Sequence, residues 1–175
     1  MNSRERVLTA LDHRQPDRTP RGFWAESATW NRLLTHTGHE SRDTLLDDLD
    51  IDLRILDVPG PMEQEIGGGT SEKYYRNFWG EQYIYRQTDW GFMREDIAGA
   101  LNEASVFDDL KNFPWPSPDI FDYSTLAGQC RHHENRALLY GFADIWERPA
   151  LVRGLQNMFL DMVERPDWVH FLARK

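Results

Sequence analysis

The segment Ile51–Val58 constrains this chain most. Ile51, Leu53 and Ile55 alternate with Asp52, Arg54 and Leu56, and Pro59-Gly60-Pro61 stops the run. That period-two pattern predicts a strand. A second compact apolar run, Ala137–Phe142, predicts another, and Thr19–Trp24 a first short one that carries Phe23 and Trp24 into a core. Helical segments lie between them. Parallel strands need a crossover connection, most often a helix, so this alternation predicts an α/β fold with parallel pairing.

The helical segments carry end signals. Asn2 with Glu5 three residues later forms a capping box ahead of Val7, Leu8 and Leu11, and Pro16 and Pro20 close that helix. Ser27 or Thr29 opens a second helix bearing Trp30, Leu33 and Leu34, with Gly38 as its stop, and Ser41 opens a third with Leu45, Leu46 and Leu49 inward. Ser105 and Asp108 read as a capping box for Phe107, Leu110 and Phe113. Later helices are expected from Ser124 to His133, from Arg148 to Val163 and from Pro166 onward. Between them, Gly67-Gly68-Gly69 is a loop, and Phe78-Trp79 and Tyr83-Ile84-Tyr85 flank Gly80-Glu81 as an antiparallel β-hairpin.

Composition narrows the function classes. With 175 residues the chain has the length of one domain, 1–175. Its 20 Lys and Arg against 29 Asp and Glu give a net charge of −9, which disfavours nucleic acid, whose binders need a basic face. No stretch is long and apolar enough for a membrane span, and no signal-peptide core is visible. One cysteine, Cys130, excludes an internal disulfide framework and a Cys-rich zinc module, and points to a reducing compartment, the cytoplasm. Cys130 itself is expected to be a small buried residue.

Three features invite a chemical reading. The glycine run lacks the Gly-Lys-Ser/Thr of a phosphate cradle, so a loop is expected. His36, His39, His132 and His133 lack ligand spacing on a rigid frame and are expected at the surface, with no metal held by this chain. The carboxylates are more informative. In parallel α/β folds the side chains just after a strand line the site at its C-terminal end. Glu26 follows the first strand, Asp57 ends the second, and Asp144 and Glu147 follow the third. Such groups serve as acid, base or acceptor for a substrate N–H, and their plainer use is to cap the next helix.

Taken in order, these residues resemble the uroporphyrinogen decarboxylase family in its broad sense, which includes corrinoid-linked methyltransferases. Ser3-Arg4-Glu5-Arg6-Val7-Leu8-Thr9-Ala10-Leu11 with Pro16-Asp17-Arg18-Thr19-Pro20 is similar to its N-terminal signature. Ile51-Asp52-Leu53-Arg54, Asp89-Trp90-Gly91, Asp109-Leu110 through Phe121-Asp122, Arg153-Gly154, Leu160-Asp161 and Arg165-Pro166 continue the likeness over nearly the whole chain. The resemblance implies a (β/α)8 TIM-type barrel with its cleft at the C-terminal strand ends. Such a barrel takes about 250 residues, so the chain is expected to be its N-terminal portion with an inserted β-hairpin.

The resemblance aligns Asp57 with the family's substrate-binding aspartate and makes it the expected catalytic residue. Trp24, Glu26, Asp144 and Glu147 are the expected substrate-binding neighbours. Decarboxylases carry an Arg-x-x-x-Arg-Tyr arrangement after the first strand's Thr-Pro. Here those positions are Ala25, Thr29 and Trp30. Guanidinium forks suit a polycarboxylate porphyrinogen, and their loss favours corrinoid- or tetrapyrrole-linked methyl transfer over porphyrinogen decarboxylation. A non-catalytic remnant that binds a ligand or partner is the remaining alternative. The methyltransferase branch uses zinc held by His-x-Cys and a later Cys, a set this chain lacks, so zinc and a corrinoid are expected only of a complete family member. The expected partners are a small-molecule or corrinoid-protein substrate, together with self-association or a complementing C-terminal half.

Overall fold

The computed structural model describes residues 1–69, 72–89, 91–141 and 145–175. In chain order its elements are α1 (Ser3–Leu11), α2 (Ser27–Thr37), α3 (Arg42–Asp48), β1 (Leu53–Leu56), β2 (Gln64–Gly68), β3 (Lys73–Arg76), β4 (Gln82–Thr88) and β5 (Gly91–Ala98). There follow α4 (Phe107–Asn112), two 3-10 turns, α5 (Leu126–His132), β6 (Ala137–Tyr140), α6 (Glu147–Arg153), α7 (Leu155–Glu164) and α8 (Pro166–Leu172). The chain is mixed α/β, and it divides into two compact units, 1–59 with 122–142 and 60–121 with 143–175. Among the described residues no helix is long and apolar enough to cross a membrane.

The first unit is built on β1 and β6, which pair in parallel from Leu53–Ala137 to Leu56–Tyr140, as the apolar runs imply. Asn2 Oδ1 accepts from Glu5 N–H at 2.8 Å and Glu5 returns a bond to Asn2 N–H at 2.9 Å, which starts α1 as expected. Ser41 caps α3 in the same manner. Trp30 of α2, Leu45 and Leu46 of α3, and Ile51 form the core, with Phe23 edge-on to Trp30 at 4.9 Å.

The expected strand at Thr19–Trp24 is absent. Pro20 has no N–H to give, and the Arg21 N–H goes to the Asp52 carboxylate at 2.8 Å. One backbone bond remains, from Asp52 N–H to Arg21 O at 2.9 Å, too little for a ladder.

Asp52 explains why this segment lies where it does. It is fully buried at the N-terminal end of β1, and accepts from Arg6 Nη1 at 2.6 Å and Arg18 Nη1 at 2.6 Å. Arg6 Nε also donates to Asp17 at 2.6 Å. Burial raises the Asp52 carboxyl pKa, but the Arg18 and Arg6 guanidiniums and the Arg21 N–H outweigh it and hold it well below the usual carboxylate range. Arg6 likewise lowers Asp17 to about 2.

The second unit joins a four-stranded antiparallel sheet, in the order β2-β3-β4-β5, to helices. The expected hairpin is real but is one turn of this larger sheet, and its strands start elsewhere. Phe78 and Trp79 sit in the β3–β4 turn, because Asn77 Oδ1 accepts from the N–H groups of Trp79 and Glu81 and folds the chain back. The glycine run ends β2 after a bulge; a Cβ on Gly68 would lie 2.2 Å from Glu72 O. It is a tight backbone approach and not an open loop.

Leu110, Val152, Met158, Trp168 and Leu172 form the helical core of this unit. At α4 the box is shifted by one residue from expectation. Asp109, not Asp108, accepts from the N–H groups of Ser105 and Val106. The single helix expected from Arg148 to Val163 is broken into α6 and α7 at Gly154, where φ is 86° and ψ is 124°. Only glycine takes that conformation readily, and a Cβ would lie 2.4 Å from Asn102 Oδ1. Gly154→Ala is expected to cost about 1–3 kcal/mol in urea unfolding, whereas an unbroken helix would be stabilised by the same change.

Candidate functional site

A cleft of about 820 Å³ lies in the first unit along β1. One wall is the segment Gly22–Ser27 that leads into α2, the other is β1 itself through Asp57, with Leu139 of β6 at its side. Trp30 and Leu46 reach it from α2 and α3. The volume falls in the upper part of the range for small-molecule sites.

Three of the expected site residues, Trp24, Glu26 and Asp57, line this one cleft. Asp57 follows β1 directly, and its backbone is clamped by Gln129 of α5. Gln129 Oε1 accepts from Asp57 N–H at 2.9 Å while Gln129 Nε2 donates to Asp57 O at 2.6 Å. This two-point grip fixes the turn and leaves the exposed carboxylate free of hydrogen bonds and ion pairs among the described residues. Glu26 occupies the N-cap position of α2, yet its side chain makes no capping bond. Neither carboxylate is therefore used up in the local structure. Trp24 is 63% exposed, a large aromatic face left bare. Asp144 lies outside the described residues. Glu147 is an exposed residue of the second unit, where it opens α6.

Two arginines line the cleft. Arg42 lies over the Trp30 ring at 5.0 Å. Arg54, 3% exposed, donates to Asp47 and to Ile51 O, and its Nε lies 3.4 Å from Asp43 Oδ1 without a hydrogen bond. Burial lowers the Arg54 pKa, and Asp47 opposes that shift. Ala25 and Trp30 line the cleft and pack with the apolar core.

Two expectations about single residues need correction. Cys130 is exposed, because it falls on the outer side of α5. His132 is at the surface as expected, but His133 is half-buried beside it. His132 ends α5 and His133 follows it, their rings meet edge-on at 4.5 Å, and both face Asp43 of α3. Burial lowers the His133 pKa, with Asp43 acting against it. Nothing local in the sequence links residues 43 and 133; α5 packs against β1, and Arg54 of β1 pairs with Asp43 and Asp47 of α3. Arg54 at the cleft was likewise missed, although an arginine inside an apolar strand is a signal of a buried charge partner.

Comparison of the chain with protein-family models, with curated proteins and with solved structures finds no significant match.

Proposed function

We propose that this chain is part of a (β/α)8 barrel of the uroporphyrinogen decarboxylase kind, acting in the cytoplasm in corrinoid- or tetrapyrrole-linked methyl transfer. The observation that supports it is the cleft beside β1, in which Trp24, Glu26 and Asp57 come together with two carboxylates unspent. The parallel β1–β6 pair also supports it. Each strand pairs on one side only among the described residues, and Ile55, Leu138, Leu139 and Tyr140 are left substantially exposed, as in a barrel segment awaiting further strands. On the same grounds, self-association or a complementing half is part of the proposal.

In this reading Trp24 offers a face to a flat macrocycle, while Asp57 and Glu26 accept hydrogen bonds from pyrrole or side-chain amide N–H groups. Gln129 holds Asp57 in position by its backbone. The family's zinc site does not fit this chain, which has one cysteine and no His-x-Cys. Arg54 is spent on Asp47 and Ile51 O, which weighs against a polycarboxylate porphyrinogen, since that needs several free guanidiniums.

The test is a titration of the full chain with hydroxocobalamin and, separately, with uroporphyrin, read by quenching of tryptophan fluorescence. Hydroxocobalamin should bind, and Asp57→Asn should weaken it about 10-fold or more, the worth of one hydrogen bond to a charged group. The thermal midpoint should hardly move, since among the described residues the Asp57 carboxylate makes no hydrogen bond or ion pair to lose. Binding unaffected by Asp57→Asn and by Trp24→Ala would overturn the site. Conversion of uroporphyrinogen to coproporphyrinogen would overturn the choice of methyl transfer over decarboxylation.

A further inference from the structure

We infer that Asp43, His132 and His133 form a binding site for a divalent transition-metal ion of the zinc type, at the edge of the carboxylate cleft, whose lining includes Asp43 and His133. The three ligand atoms lie within 4.8 Å of one another. Asp43 Oδ2 is 3.7 Å from His133 Nε2 and 3.9 Å from His132 Nε2. Bonds of about 2.0–2.2 Å in a tetrahedral shell require ligand atoms roughly 3.3–3.5 Å apart. Rotamer adjustments of a few tenths of an ångström bring Asp43 to that spacing from each histidine.

The frame around the triad favours that closure. Asp43 stands in the first turn of α3, and its other oxygen, Oδ1, faces the buried Arg54 Nε at 3.4 Å. Arg54 thus turns one oxygen inward and leaves Oδ2 toward the imidazoles, the role an outer partner plays in orienting a ligand. That Nε is the one buried side-chain nitrogen or oxygen without a hydrogen bond among the described residues, and Asp43 Oδ1 faces it at 3.4 Å. The nearby charges balance: Asp43 and Asp47 stand against Arg54 and Arg136, which share Asp47. A cation arriving at the triad therefore meets no net positive field from these four groups.

The donor set selects the metal. Two imidazoles and one carboxylate suit zinc, cobalt, nickel or iron(II), whereas calcium and magnesium call for oxygen ligands throughout. The His132 side chain is 71% exposed, so a fourth position is open to water or to a small ligand.

The experiment is isothermal titration of the full chain, stripped with a chelator, with zinc and with cobalt(II), the latter also read by visible absorption. One equivalent should bind, with the intense visible bands of a four-coordinate cobalt site, and a large excess of magnesium should not displace it. His132→Ala and His133→Ala should each weaken binding at least 10-fold, whereas His170→Ala and Cys130→Ser should leave it unchanged. His132 is exposed, so its loss does not threaten folding, which circular dichroism checks. Absence of binding, or binding by His132→Ala as tight as by the parent chain, overturns the assignment. A loss caused by Cys130→Ser with the histidine variants unaffected overturns it equally.

Discussion

Asp52→Ala is expected to destabilise the first unit by about 3–5 kcal/mol, the usual cost of removing one partner from a buried ion pair. The carboxylate is wholly buried and takes bonds from two guanidiniums and a backbone N–H. Its removal leaves Arg6, itself 8% exposed, facing an empty site, and frees the Arg21 segment that the same carboxylate holds against β1. Asp52→Asn keeps the shape but offers N–H where two guanidiniums donate, so it should be nearly as damaging. Urea unfolding followed by circular dichroism measures both. A loss below about 1 kcal/mol, the level of a surface pair, would show that the Arg6 and Arg18 contacts contribute little.

The pH dependence has a definite sign. The carboxyls of Asp52 and Asp17 are both held lower in the folded chain than their ordinary value of about 3.9. Their contribution is fully present above that value and is lost as pH falls through about 4 toward 2 and below. Asp52→Asn should flatten this acid limb of the stability curve. An acid limb as steep as the parent chain's would assign it to other carboxylates.

This knot also shows what kind of information the opening motif carries. Arg6, Asp17, Arg18 and Asp52 are all spent on holding α1 and the Arg21 segment to the N-terminal end of β1. In the proposed barrel that end bears on stability, and the opposite end bears on chemistry. The opening motif therefore bears first on folding, and the candidate reactive groups are those that line the cleft. Local rules were legible where a few neighbouring residues decide the matter. The Asn2 and Ser41 caps, the Pro166 helix start and the two parallel strands follow from spacing alone. What failed was decided at a distance. Thr19–Trp24 looks like a strand until the Asp52 side chain takes its N–H group. The apolar period runs unbroken from α6 into α7, and Gly154, placed against Asn102, is what separates them. Asp43 and His133 are brought together by two helices that meet only in the folded unit.

Glu81→Ala should have an effect of similar size on the second unit, about 3–5 kcal/mol. Glu81 is 1% exposed at the end of the β3–β4 turn. It accepts from Asn77 Nδ2 at 2.7 Å, Arg94 Nη2 at 2.9 Å and Arg148 Nη1 at 2.8 Å. One carboxylate thus links the turn, β5 and α6. The two guanidiniums it holds lie over aromatic rings, Arg94 over Tyr83 at 3.9 Å and Arg148 over Trp79 at 5.9 Å. The aromatic run from Tyr74 to Tyr85 accordingly works as packing for charged partners of the sheet. Arg148 is about a third exposed, so Arg148→Ala alone should cost only about 1 kcal/mol, through one charged hydrogen-bond partner and some stacking. The double variant separates the terms. If Glu81 acts mainly by neutralising Arg148, the two changes should be non-additive by about 0.5–3 kcal/mol, because Arg148 is harmful only while it is buried without its partner. Strict additivity would mean instead that Asn77 and Arg94 carry the effect, and that Glu81 serves the turn and the sheet without joining them to α6.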